Sequence, residues 1–183
     1  MHPEIESWAG DPPIAEGIAV EISDTQGHLP VDRAALARLV RGVLAGEGVE
    51  QASISIALVD DATIHAVNRR HLGHDWPTDV LSFRLSAPGD PELTAELVVS
   101  AEMAATTARE AGVDRWAELA LYLVHGLLHL CGYDDLSAGD VETMRWREDA
   151  ILAREGLTNT FPLVARAQTG ETGQGRESVR WSG

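Results

Sequence analysis

"LYLVHGLLHLCGYDDL", residues 121–136, decides the reading of this chain. Two histidines stand four residues apart in an apolar run that stops at Gly132 and meets a pair of aspartates. At that spacing His125 and His129 share one helix face, so both rings can meet one ion. The rest of the predicted helix is leucine, valine, alanine and tyrosine. An imidazole pair without partners in such surroundings would cost several kcal/mol. Either hydrogen-bonded core histidines or metal ligands answer that cost, and the residues after the helix favour the metal. Gly132 suits a helix C-terminus, where positive φ lets the chain reverse. Asp135, six residues after His129, is then expected to return toward the two rings. Two imidazoles and a carboxylate are the three-ligand set of a catalytic zinc with its fourth position open.

H-x-x-x-H-x-x-G-x-x-D has the ligand spacing of the extended metzincin motif, with Asp for the third His. The residue after the first ligand is Gly126, where a zinc peptidase carries its glutamate base. Without that carboxylate a peptidase lacks its usual means of deprotonating bound water. Cys131, two residues past His129, points away from the pair and reads as a small buried hydrophobe, not a fourth ligand. Asp134 is a candidate base or support for a ligand histidine, or else a plain turn carboxylate.

The bulk composition narrows the classes further. A chain of 183 residues with 44% hydrophobic residues suits one soluble domain with a real core. No apolar run reaches the roughly 20 residues that span a bilayer, so no membrane partner is expected. The start, "MHPEIESWAGDPP", has acidic residues and no Lys or Arg, unlike a secretory signal. One cysteine permits no intrachain disulfide and agrees with a cytoplasmic location. All 14 basic residues are arginine, which excludes P-loop, Schiff-base and lysine-base chemistry. The net charge of −15 argues against binding nucleic acid through overall charge, and DNA is not expected as a partner. "NRRHLGH" (68–74) is the one place where positive and titratable groups crowd together.

Residues 1–16 read as a loose N-terminal arm, 17–160 as one domain and 161–183 as a disordered Gly/Ser/Gln-rich tail. Period-two alternation predicts strands at 18–23, 52–59, 78–85 and 95–100. Helical spacing predicts helices at 31–48, 60–72, 100–112, 114–132 and 137–156, with Asp32 and Asp60 or Asp61 as N-caps. The expected fold is α/β (α+β): a mixed four-stranded sheet layered with about five helices in a single domain. Trp76, Trp116 and Trp146 are expected to pack in the protein in preference to serving as base-stacking platforms.

Two motifs carry a family resemblance. "HGLLHLCGYDD" (125–135) is similar to the signature of the YbeY family of zinc-dependent endoribonucleases, H-G-x-L-H-L-x-G-Y-D followed by a third histidine ligand. "VNRRHLGHDWPTDVLSF" (67–83) resembles that family's second block, N-x-x-Y/F-R-x-x-D-x-P-T-D-V-L-S-F, and "AELVVS" (95–100) resembles its next strand. The likeness covers about residues 50–155.

The resemblance implies a fold of the kind already expected and one zinc ion per chain. It implies cleavage of single-stranded RNA in ribosomal RNA processing, at the 3′ end of the small-subunit RNA, and a part in ribosome quality control. The small ribosomal subunit is the implied partner. The family's third histidine ligand is Asp135 here, giving His125, His129 and Asp135 as the ligand set. The family's second-block arginine aligns with Leu72, and Arg70 or Arg69 is expected to act at the scissile phosphate in its place. Thr78, Asp79 and Ser82 are expected to line the cleft. The rival readings are a zinc metallopeptidase-like hydrolase and a non-catalytic ribosome-associated zinc module.

Overall fold

The computed structural model describes residues 17–162. The arm expected over 1–16 and all but the first two residues of the expected tail lie outside them. Strands β1 (Ile18–Asp24), β2 (Ala52–Val59), β3 (Val80–Arg84) and β4 (Leu93–Ser100) form one sheet in the order β1-β2-β4-β3. β1, β2 and β4 run parallel, and β3 joins β4 antiparallel as an edge strand. Five helices are defined among the described residues: α1 (Arg33–Gly46), α2 (Asp61–Leu72), α3 (Ala101–Ala111), α4 (Arg115–Leu130) and α5 (Ala138–Arg154). This is the mixed, helix-layered α/β fold read from the periodicities. Among the described residues no helix is long and apolar enough to cross a membrane.

Alternation along each strand sorts its residues between two cores. Ile54, Ile56 and Leu58 of β2 and Ala95, Leu97 and Val99 of β4 enter the main core with α1 and α4. Their neighbours Val59 and Val98, with Leu81 of β3, pack beneath Ile64 of α2 on the opposite face. A strand with both faces covered loses the polar alternation of a half-exposed one, as β4 does in its last four residues. α4 is buried on nearly every side from Ala117 to Leu128, so it is a central helix instead of an amphipathic surface helix.

The helix starts follow side-chain chemistry. Asp32, Asp60, Ser100, Asp114 and Ser137 each accept a backbone N–H of the first turn that would otherwise lack a partner. Such a cap contributes about 1 kcal/mol. Ser137 and Asp140 form a reciprocal capping box, which starts α5 immediately after the aspartate turn.

Two expectations change. β3 begins at Val80, because Asp79 uses its own carboxylate to accept from the Thr78 hydroxyl and the Val80 amide, both at 3.0 Å. Such local bonds compete with a strand ladder. The tryptophans also divide: Trp116 packs against the main core, but Trp76 is 43% exposed and Trp146 62% exposed. Neither exposed ring has been drawn into the interior: Trp76 lies in the loop between α2 and β3, and Trp146 on the outer side of α5.

Candidate metal centre

α4 places His125 and His129 one turn apart, with ring centroids 4.6 Å apart and planes at 86°. The helix ends as its sequence predicts. Gly132 takes φ 97°, and the Gly132 and Tyr133 amides return to the His129 and Leu128 carbonyls. This closure satisfies helix-end carbonyls while reversing the chain. The reversal delivers Asp135: one ligand atom from each of His125, His129 and Asp135 lies within 4.8 Å of the other two.

The ring nitrogens divide their work. His125 Nδ1 lies 2.7 Å from Glu148 Oε1, and Glu148 Oε2 accepts from Arg145 Nη1 at 2.7 Å. His129 Nδ1 lies 3.1 Å from the Tyr133 carbonyl. A carbonyl and an arginine-paired carboxylate are acceptors, so both Nδ1 atoms carry the proton and donate. When both rings are neutral, both Nε2 atoms present lone pairs, and they face each other at 3.1 Å. Two lone pairs at that separation repel unless a positive centre lies between them. Asp135 Oδ1 is buried there without a hydrogen-bond partner. A buried carboxylate oxygen without a donor is costly. Two imidazole nitrogens turned toward each other and a carboxylate oxygen with no hydrogen bond thus fit a divalent cation with nitrogen and oxygen ligands. Burial and the neighbouring His125 lower the pKa of His129, which favours the neutral ring that ligation needs.

The surroundings hold this geometry firmly. Glu148 is fully buried on α5, and the Arg145 guanidinium lies 3.6 Å from the Phe161 ring centroid. Tyr133 Oη donates to Glu47 Oε2 at 3.0 Å, and Arg147 Nε donates to Glu47 Oε1 at 2.6 Å. Glu47, at the end of α1, therefore ties the aspartate turn and α5 together. Asp134 is exposed and its Oδ1 accepts from the Asp135 amide at 2.8 Å, so it shapes the turn that presents Asp135. Burial pushes the Cys131 thiol up to about 12, which keeps it a protonated small hydrophobe.

Gly126 explains the missing glutamate. A Cβ there would lie 2.8 Å from Ser82 Oγ, 2.9 Å from Val80 Cγ2 and 3.0 Å from Leu97 Cδ2. α4 approaches the sheet so closely that position 126 holds no side chain at all. Ser82 seals the contact by donating to the Gly126 carbonyl at 3.0 Å. The peptidase base is thus excluded by packing as well as by sequence.

The remaining candidates spread around the edge strand. Thr78 is buried and donates to Asp79, so Thr78 and Ser82 both spend their hydroxyls on internal bonds. Arg69 and Arg70 are exposed on the last turn of α2. There the ring of His71 meets Phe83 edge-on, 5.8 Å between centroids. α2 and α4 therefore lie on opposite faces of β3. Phe83 turns toward α2, while Ser82 and Arg84 reach Gly126 and Leu130 of α4.

Glu148, Arg145 and Arg84 escaped the sequence reading. Arg84 donates to the Leu130 carbonyl at 3.0 Å and so caps the helix end beside the histidines. A carboxylate 23 residues from His125 carries no local signal, because α5 must first fold back.

Asp135 offers a direct test of this centre. Asp135→Ala is expected to weaken metal binding about 100-fold or more, whereas Asp135→His keeps the site. Metal competition titrations measure both. An Asp135→Ala variant with wild-type affinity would assign the third ligand elsewhere.

A mixed sheet whose buried central helix converges two imidazoles and a carboxylate on one point defines an α/β protein with a candidate metal centre of the open three-ligand kind. A family model described as Endoribonuclease YbeY matches residues 21–156, and the chain belongs to that family. The endoribonuclease YbeY of Pelotomaculum thermopropionicum is 41% identical over 149 residues, 76% of this chain and 98% of that protein. That of Moorella thermoacetica is 39% identical over 150 residues, 74% of this chain and 96% of that protein. The solution structure of a Thermotoga maritima protein shares the fold with a TM-score of 0.52 at 21% identity, covering 88% of this chain and 99% of that one.

Proposed function

We propose that this protein is a metal-dependent endoribonuclease that cuts single-stranded RNA in ribosomal RNA processing. Its curated relatives bear the name endoribonuclease. The observation that carries the reading is the convergence of both Nε2 lone pairs and the buried Asp135 oxygen in a chain of this family. Within the reading, zinc is the ion, one per chain, held by His125, His129 and Asp135. The 3′ end of the small-subunit RNA is the target, the small ribosomal subunit the partner, ribosome quality control the wider role and the cytoplasm the location.

When bound, such an ion supplies a polarised phosphoryl oxygen and a water that ionises near neutral pH. The chain's own residues supply the rest. Glu148 and the Tyr133 carbonyl hold the two rings in the ligating tautomer. Arg70 and Asp134 are the catalytic candidates, the first to stabilise charge at the phosphate and the second to accept a proton. Arg69 and Arg70 contact phosphates, and Thr78 and Ser82 line the cleft that receives the strand.

The test is cleavage of single-stranded and duplex RNA by protein of measured metal content. Fully loaded protein that leaves single strands intact would refute the reading. Arg70→Ala is expected to lower cleavage about 10- to 1000-fold, as the loss of one charge-stabilising donor does. Metal content and Tm should hold, because Arg70 is exposed. Arg69→Ala/Arg70→Ala should also flatten the salt dependence of RNA binding, since each lost phosphate contact releases fewer counterions. A double variant that binds and cleaves like wild type would remove both arginines from the site.

A further inference from the structure

The loop between α2 and β3 carries a feature that metal chemistry does not use. His74 and Trp76 stack on each other, with centroids 4.7 Å apart and planes at 12°, while Trp76 stays 43% exposed. Two side chains of α2 hold this loop in place. His65 Nε2 lies 2.9 Å from Asp75 Oδ1, and the Asn68 amide donates to the Trp76 carbonyl at 2.8 Å. Asn68 is 1% exposed, so the bond fixing the Trp76 backbone is sheltered from water. A large ring kept in solvent gains little for folding, yet here it is stacked and held from the helix below.

We propose that the His74–Trp76 ledge is a stacking site for an unpaired base of the RNA strand. Three observations point to that ligand. An aromatic face on a rigid support accepts any base, because every base has a π-face. Arg69 and Arg70 end the helix that the loop folds back on, and they offer phosphate contacts in a chain of net charge −15. The ledge also lies four residues before Val80, whose methyl group borders Gly126 beside His125. A duplex keeps its bases stacked on one another, so the ledge also selects single strands.

The inference rests on the proposed ribonuclease reading, and fluorescence anisotropy of a labelled single-stranded phosphorothioate oligoribonucleotide with full-length metal-loaded protein separates the two. Trp76→Ala is expected to raise Kd about 5- to 100-fold, the range for loss of one base–aromatic stack. Trp76→Phe, which keeps a ring, should stay within about threefold of wild type. One abasic nucleotide at the stacked position should weaken wild type and leave Trp76→Ala unaffected, which a merely structural role of Trp76 would not produce. Metal content and Tm serve as controls on folding. Wild-type binding together with an unchanged Kd for Trp76→Ala overturns the ledge alone. Wild type that neither binds nor cuts single strands overturns the ribonuclease reading and the ledge with it.

Discussion

His129→Ala is expected to abolish metal binding and to lower RNA cleavage by roughly 10³-fold or more, equivalent to about 4 kcal/mol of barrier. The variant loses one of the two Nε2 atoms that face each other at 3.1 Å. It also leaves the buried Asp135 oxygen beside a cavity with one ligand fewer. A ligand bound only by the folded state stabilises that state, by about 4 kcal/mol when the ion exceeds its Kd a thousandfold. Wild type should therefore melt at lower temperature after chelation, and His129→Ala should melt at one temperature with or without chelator. Metal analysis, calorimetry and a cleavage assay on the same preparations check all three expectations. Full metal occupancy in this variant would sink the assignment of the centre.

Gly126→Glu would write the peptidase base into the sequence, and it is expected to disrupt the fold without creating a peptidase. The Cβ alone meets Ser82, Val80 and Leu97 at 3.0 Å or less. Ser82 and Val80 belong to a strand hydrogen-bonded to β4, so relief requires their buried side chains or α4 itself to shift. Overpacking of this kind costs about 1–3 kcal/mol for a methyl group, the expectation for Gly126→Ala. A carboxylate forced into the same contact adds its desolvation, for a total of about 4 kcal/mol or more. Chemical denaturation of the two variants orders them. A Gly126→Glu protein as stable as wild type would contradict the packing described here.

The site was legible in the sequence wherever its parts are local. A four-residue helical spacing, a C-terminal glycine and an aspartate three residues further form one continuous segment, and local backbone geometry joins them. Strands and helices were legible for the same reason, since periodicity records which face each element buries. β3 started later than its pattern because Asp79 bonds its own neighbourhood, a competition that hydrophobic alternation does not register. The exposure of Trp76 was misjudged because burial depends on what packs above a residue, and here nothing in the described chain covers the ring fully.

The sequence by itself determined the α/β fold, the candidate ligand set and the absence of the peptidase glutamate, because each depends on residue type and short spacing. The tertiary structure decided the rest. It showed that Gly126 is where α4 touches β3, that Glu148 from α5 reaches His125 Nδ1, and that Ser82 donates to the Gly126 carbonyl. It also placed α2 and α4 on opposite faces of β3. The bonds made by Glu148, Ser82 and Arg84 join residues 23 to 46 positions apart in the chain. Such partners meet only when the whole sheet and its helices close, so no local pattern encodes them.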